Sequence, residues 1–194
     1  MTMPYDAQDD LSDEALLARY ASGDAAAARI LTLRLTPRVF GHAMRLLGNH
    51  AEAEDVTQDA LIRLWRIAPD WREGEAKVTT WLYRVVANLC TDRLRRRPSV
   101  DLDAVPEVED GAVGAAEGMQ QQARADALQA ALMQLPDRQR EAVVLRHIEG
   151  LGNPEIAAIM EISPRAVESL TARGKRALTE ILAGRKDELG YTDD

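Results

Sequence analysis

Arg165, Ser169, Arg173 and Arg176 have the types and the spacing to grip a polyanion. Guanidinium groups bind phosphate and read guanine edges, and a serine hydroxyl can serve base or backbone. They can act together only from one face of one helix. Interleaved with them, Val167, Leu170, Gly174, Leu178 and Ile181 recur at steps of three and four, the apolar stripe such a helix would bury. A solvated helix face would show the same pattern, so the segment before it has to decide.

That segment reads LPDRQREAVVLRHIEGLGNPEIAAIMEIS, and Pro136, Pro154 and Pro164 each stand where a helix would begin. Proline at the first helical position loses no bond, because that N–H lacks an intrahelical partner anyway. Asn153 and Ser163 are the expected N-caps. Only Glu161 and Ile162 separate a helix over 153–160 from the basic one, which makes a helix-turn-helix and favours DNA as the polyanion. Gly174 costs about 1 kcal/mol against alanine inside a helix, and a close helix crossing is the expected reason for it.

Composition limits the alternatives. The 194 residues suffice for one ordinary domain or two small ones, and an apolar content of 46% supports real cores. The single cysteine, Cys90, excludes an internal disulfide and is expected to be a buried small hydrophobe. No apolar run reaches membrane-spanning length, and MTMPYDAQDD is not a signal peptide, so a cytoplasmic chain without membrane contact is expected. His42 and His50 lie too far apart for one helical metal face, and His147 reads as a helix-end residue. With no glycine-rich phosphate loop and no catalytic constellation, neither an enzyme nor a metal or other cofactor is expected. The net charge of −8 argues against strong DNA binding by the chain alone. Basic patches at 93–97 and 165–176 on an acidic body suggest DNA contact made jointly with a larger partner.

The remaining elements read as helices, so the expected fold is all-α: two small helical domains joined by a flexible acidic linker, the second with the helix-turn-helix. The first domain spans 11–97. Ser12 caps its first helix, Gly23 and Asp24 break it, and an alanine-rich helix runs to about Leu35. Thr36 and Pro37 start another, closed by Gly48. In the next helix Val56, Ala60, Ile62, Leu64 and Ile67 can supply a buried side. Gln58, Asp59, Leu61 and Trp65 fall on another strip, whose tryptophan either finishes the core or anchors a protein partner. An irregular stretch over 70–80 leads into a helix capped by Thr79 or Thr80 and stopped by Pro98. Trp81 is assigned to the core. Trp71, in the loop, is assigned to a base, with Asn88 and arginines further along the helix tracking a strand. Residues 98–118, rich in acids, glycine and proline, form the linker, and the second domain spans 119–184.

Together these motifs resemble a bacterial RNA polymerase sigma factor of the extracytoplasmic-function (ECF) group, in the sigma-70 family. AEDVTQDALIRLW is similar to the family's region 2.2, TTWLYRVVANLCTDRLRRR to regions 2.3 and 2.4, and the stretch 135–178 to regions 4.1 and 4.2. The resemblance implies promoter recognition as a dissociable polymerase subunit. Gln58, Asp59, Leu61 and Trp65 would then meet the clamp helices of the β′ subunit. The second domain would seat on the β flap and read the −35 element through Arg165, Ser169, Arg173 and Arg176. The first domain would read and melt the −10 element, with Trp71, Asn88, Arg95, Arg96 and Arg97 on its DNA side. The acidic linker would lie in the polymerase cleft, and an anti-sigma factor is the expected regulator. Glu168 and Val78 depart from common family residues, which points to altered −35 and −10 detail. Two other readings are weighed beside this one: a sigma mimic that binds only an anti-sigma factor, and a stand-alone helix-turn-helix repressor.

Overall fold

The computed structural model describes residues 11–72, 74, 76–96 and 116–183, and over these the chain is helical, with no strand. A first bundle holds α1 (Asp13–Ala21), α2 (Ala25–Leu47), α3 (His50–Ile67) and α4 (Val78–Arg96). A second holds α5 (Ala116–Met133), α6 (Asp137–Val143), α7 (Asn153–Met160) and α8 (Pro164–Ala183). Arg97 and residues 98–115 of the expected linker lie outside the described residues.

Side-chain caps start most helices of the first bundle. Ser12 Oγ accepts the Ala15 N–H at 3.1 Å, Asp24 Oδ1 accepts that of Ala26 at 2.9 Å, and Asn49 Oδ1 accepts that of Glu52 at 3.0 Å. Gly48, at φ 64°, ends α2 in the left-handed conformation its sequence predicts.

Three expectations are corrected. Helix α2 runs unbroken through Pro37 instead of restarting there. The carbonyl deprived of a donor is that of Leu33, whose side chain is 65% exposed, so water can serve it, while Leu31, Leu35 and Val39 bury on the other face. Helix α4 begins at Val78, not at a threonine cap, because Glu14 of α1 reaches across and accepts the Val78 N–H at 2.9 Å. On α3 the inward residues are Ala53, Val56, Thr57, Ala60, Leu61 and Leu64, so Ile62, expected inside, is 38% exposed. The core they join is built on Leu16, Leu17, Leu31, Leu35 and Leu82.

In the second bundle Leu132, Leu135, Val143 and Val144 pack with Ala177, Leu178 and Ile181 of α8. Gly174 is buried where α8 crosses α6, and a Cβ there would stand 2.6 Å from Val143 Cγ2 and 3.2 Å from Gln139 O. The close crossing expected from the sequence is therefore present. Ser163 caps α8 as expected, its Oγ accepting the Ala166 N–H at 3.2 Å. Asn153 does not cap α7. It is the first helical residue, Gly152 takes the cap position, and the Gly152 N–H donates to Glu155 Oε2 at 3.0 Å. Pro136 is likewise one residue earlier than expected, ahead of α6. Between α6 and α7 a wide π turn over Val144–Ile148 was not foreseen, since its period matches neither helix nor strand.

Candidate functional site

The basic face of α8 stands clear of the second core. Arg165, Ser169, Arg173 and Arg176 are all exposed, while Val167 and Gly174 on the opposite side are buried. The Arg173 Nε–H donates to the Ser169 carbonyl at 3.2 Å, which lays that guanidinium along the helix. Lys175, not singled out from the sequence, is exposed as well. Asn153 Nδ2 donates to Glu168 Oε1 at 3.4 Å, so α7 partly holds the one carboxylate on this face.

On α4, Arg84, Asn88, Thr91 and Arg95 are exposed and separated by four, three and four residues, which puts them on one helical strip. Arg96 is exposed too. Arg93 leaves the basic cluster: it turns to Asp55 and Asp59 of α3, at 3.4 and 3.9 Å. The sharp division between the two tryptophans is not what the packing draws. Trp71 and Trp81 are both half-buried against the first core and meet edge to face, with ring centroids 6.0 Å apart.

The α3 strip proposed for a protein partner divides by burial. Gln58 and Asp59 are exposed, whereas Leu61 is 9% exposed. Trp65 is half-buried, edge-on to Tyr20 at 4.8 Å. Gln58 and Leu61 line an open groove between α2 and α3 together with Phe40, His50 and Thr57. Phe40 is the residue that sequence reasoning missed here. It lies on α2, and only the tertiary fold brings it beside Gln58.

Polar groups also gather between the bundles. The Tyr83 hydroxyl of α4 donates to Glu149 Oε2 at 2.5 Å, and His42 Nδ1 and Arg45 Nη1 of α2 lie 3.4 and 3.6 Å from Glu149 Oε1. Burial pushes the Glu149 carboxyl up, but His42, Tyr83 and Arg45 outweigh it and hold it below its ordinary value. Burial and the adjacent Glu149 raise the Tyr83 hydroxyl. Cys90 is buried, as expected, with its thiol pushed up to about 12 by burial and then by Glu141, so it is inert at neutral pH. Among the described residues no cluster of His, Cys, Asp or Glu is placed to hold a metal ion, and no helix is long and apolar enough to cross a membrane.

Comparison with known proteins accounts for both surfaces. Residues 31–99 match the family model described as Sigma-70 region 2, and residues 125–178 the one described as Sigma-70, region 4. The ECF RNA polymerase sigma factor SigE of Mycolicibacterium smegmatis is 38% identical over 176 residues, covering 87% of this chain and 67% of that one. The ECF RNA polymerase sigma-E factor of Escherichia coli K12 is 31% identical over 182 residues, covering 88% and 94%. Among solved structures, CnrH in complex with the cytosolic domain of CnrY aligns with a TM-score of 0.64 and 26% identity, over 89% of this chain and 97% of CnrH. With regions 2 and 4 in order and near full-length relatives of one kind, the chain belongs to the sigma-70 family, in its ECF group.

Proposed function

We propose that the chain is a promoter-specificity subunit, which binds core RNA polymerase, directs it to particular promoters and starts transcription there. The observation that carries this is the presence, in one chain and in family order, of region 2 over 31–99 and region 4 over 125–178. Regulation by an anti-sigma factor follows from the same kinship, CnrH having been solved with the cytosolic domain of CnrY.

The finer assignments rest on exposure and spacing. Gln58 and Asp59, with Leu61 and Trp65 behind them, meet the β′ clamp helices, and the α2–α3 groove supports this by offering an apolar floor beside polar residues. The unit over 119–184 seats on the β flap and presents Arg165, Ser169, Arg173 and Arg176 to the −35 duplex. The unit over 11–97 presents Asn88, Arg95, Arg96 and Arg97 to the −10 element. Trp71 sits at the edge of a base pocket formed by the loop over 70–80. The acidic residues 98–118 pass through the polymerase cleft as a tether. The chain has no active site of its own and works in the cytoplasm with the polymerase.

A gel shift on promoter DNA, with and without core polymerase, tests the reading. A sigma factor shifts DNA only with core, a repressor shifts it alone, and a mimic of an anti-sigma target does neither. Transcription from a genomic library by core enzyme plus this chain would then identify the promoters.

A further inference from the structure

The two bundles meet through chemistry that neither needs for its own core. Tyr83 is 6% exposed because its ring enters the second bundle, against Leu145, Ile156 and Met160, while its hydroxyl donates to Glu149. Around it, Arg84 pairs with Glu161 in the turn of the helix-turn-helix, and Lys77 Nζ lies 3.6 Å from Glu155. On the other side Gln129 Nε2 of α5 donates to the Met44 carbonyl at 3.0 Å, and the Met133 side chain lies against Gly48.

From this we infer that the free chain is held shut by a latch, Tyr83 and Glu149, and that in the shut form Glu161 occupies on Arg84 the place of a DNA phosphate. Arg84 heads the strip that continues through Asn88, Thr91 and Arg95, so the turn of the second bundle covers the start of the proposed −10 surface. The recognition residues of α8 stay exposed in the same form, and so do Gln58, Asp59 and the α2–α3 groove. The latch therefore withholds −10 DNA but leaves the polymerase-binding strip open. Core enzyme can engage the closed chain, and separation of the bundles follows. This rests on the reading of α4 as the −10 surface.

Magnitudes assign the roles. An exposed pair such as Arg84–Glu161 contributes at most about 1 kcal/mol, too little to hold two bundles together. A buried tyrosine with a charge-assisted hydrogen bond contributes more, and leaving a buried Glu149 without its donors would be costly. Tyr83 and Glu149 give the holding force; Arg84 and Glu161 give the competition with DNA.

The test uses the full chain with spin labels at Arg63→Cys and Thr179→Cys, both exposed sites on opposite bundles, in a Cys90→Ala background. The unlatched forms are Tyr83→Phe and Glu149→Gln, which keep shape and remove the hydrogen-bonded charge. The parent should give one short, narrow label distance, and both variants a longer, broader one. Affinity for a fluorescent mixed-sequence single-stranded oligonucleotide should rise severalfold in Glu149→Gln, and adding Arg84→Ala should abolish the gain. Unchanged distances in both variants would overturn the latch, and opening without any gain in oligonucleotide affinity would overturn the masking of α4. Co-purification with core polymerase is scored separately, so a chain that closes but never binds core would defeat the functional reading and not the latch.

Discussion

The carboxylate of Glu14, on the first helix, accepts the amide N–H of Val78 at the start of the fourth, 2.9 Å away. A residue 64 positions distant thus supplies the cap that neither Thr79 nor Thr80 provides. Removing it in Glu14→Ala should cost about 1 kcal/mol, and Glu14→Gln, which keeps an acceptor oxygen, should recover most of that in thermal unfolding. Burial raises the Glu14 carboxyl, but the bond from Val78 outweighs it and the net shift is downward. Its stabilisation should accordingly be complete above the ordinary carboxylate range and be lost as pH falls through the lowered value.

Glu141 has the opposite sign. It is 7% exposed, on α6 facing Cys90 and Leu94 of α4, and burial raises its carboxyl to about 7, against a smaller pull from Arg138. The folded chain therefore holds this proton more tightly than the unfolded one. Stability should fall as pH rises from about 4.5 to about 7 and then level off, a loss of at most about 3 kcal/mol. In Glu141→Gln that slope should vanish, and above pH 7 the variant should melt higher than the parent. A melting series at four pH values between 5 and 8 decides it.

Gly174→Ala sets two effects against each other. Alanine gains about 1 kcal/mol of helix propensity. Its Cβ would stand 2.6 Å from a β-branched methyl of Val143 and 3.2 Å from a backbone oxygen, neither of which moves cheaply. The clash should win, destabilising the second bundle by about 1–3 kcal/mol in denaturant unfolding.

For the DNA surfaces the two sets of arginines should behave differently in holoenzyme. Arg173→Ala should cost about 1–3 kcal/mol on a cognate promoter and relax discrimination at one −35 base. Arg95→Ala and Arg96→Ala should weaken binding to all sequences alike and each lower the salt slope by about one. A uniform loss in Arg173→Ala would instead make it a phosphate contact.

How far the chain could be read in advance depended on how local each signal was. The caps Ser12 and Ser163, the left-handed Gly48 and the stripe ending in Gly174 are set within a few residues, and they are where the sequence puts them. Pro37 misled because proline is a local helix breaker, while the buried leucines flanking it act through the whole bundle. Val78 misled because its cap is 64 residues away. The polymerase strip was legible on α3, but its Phe40 wall is visible only once α2 lies alongside. The contacts between bundles left no periodic trace. Glu149 looks like any residue at the end of a helix until Tyr83 and His42 arrive from elsewhere.

One turn merits a last consequence. Glu161 sits in left-handed backbone, φ 55° and ψ 46°, where a side chain costs roughly 1–2 kcal/mol and glycine costs nothing. A screen for heat-tolerant variants would favour Glu161→Gly for that reason. The same change would release Arg84, so the hardier molecule would also be the less restrained one, and ruggedness and silence pull that position in opposite directions.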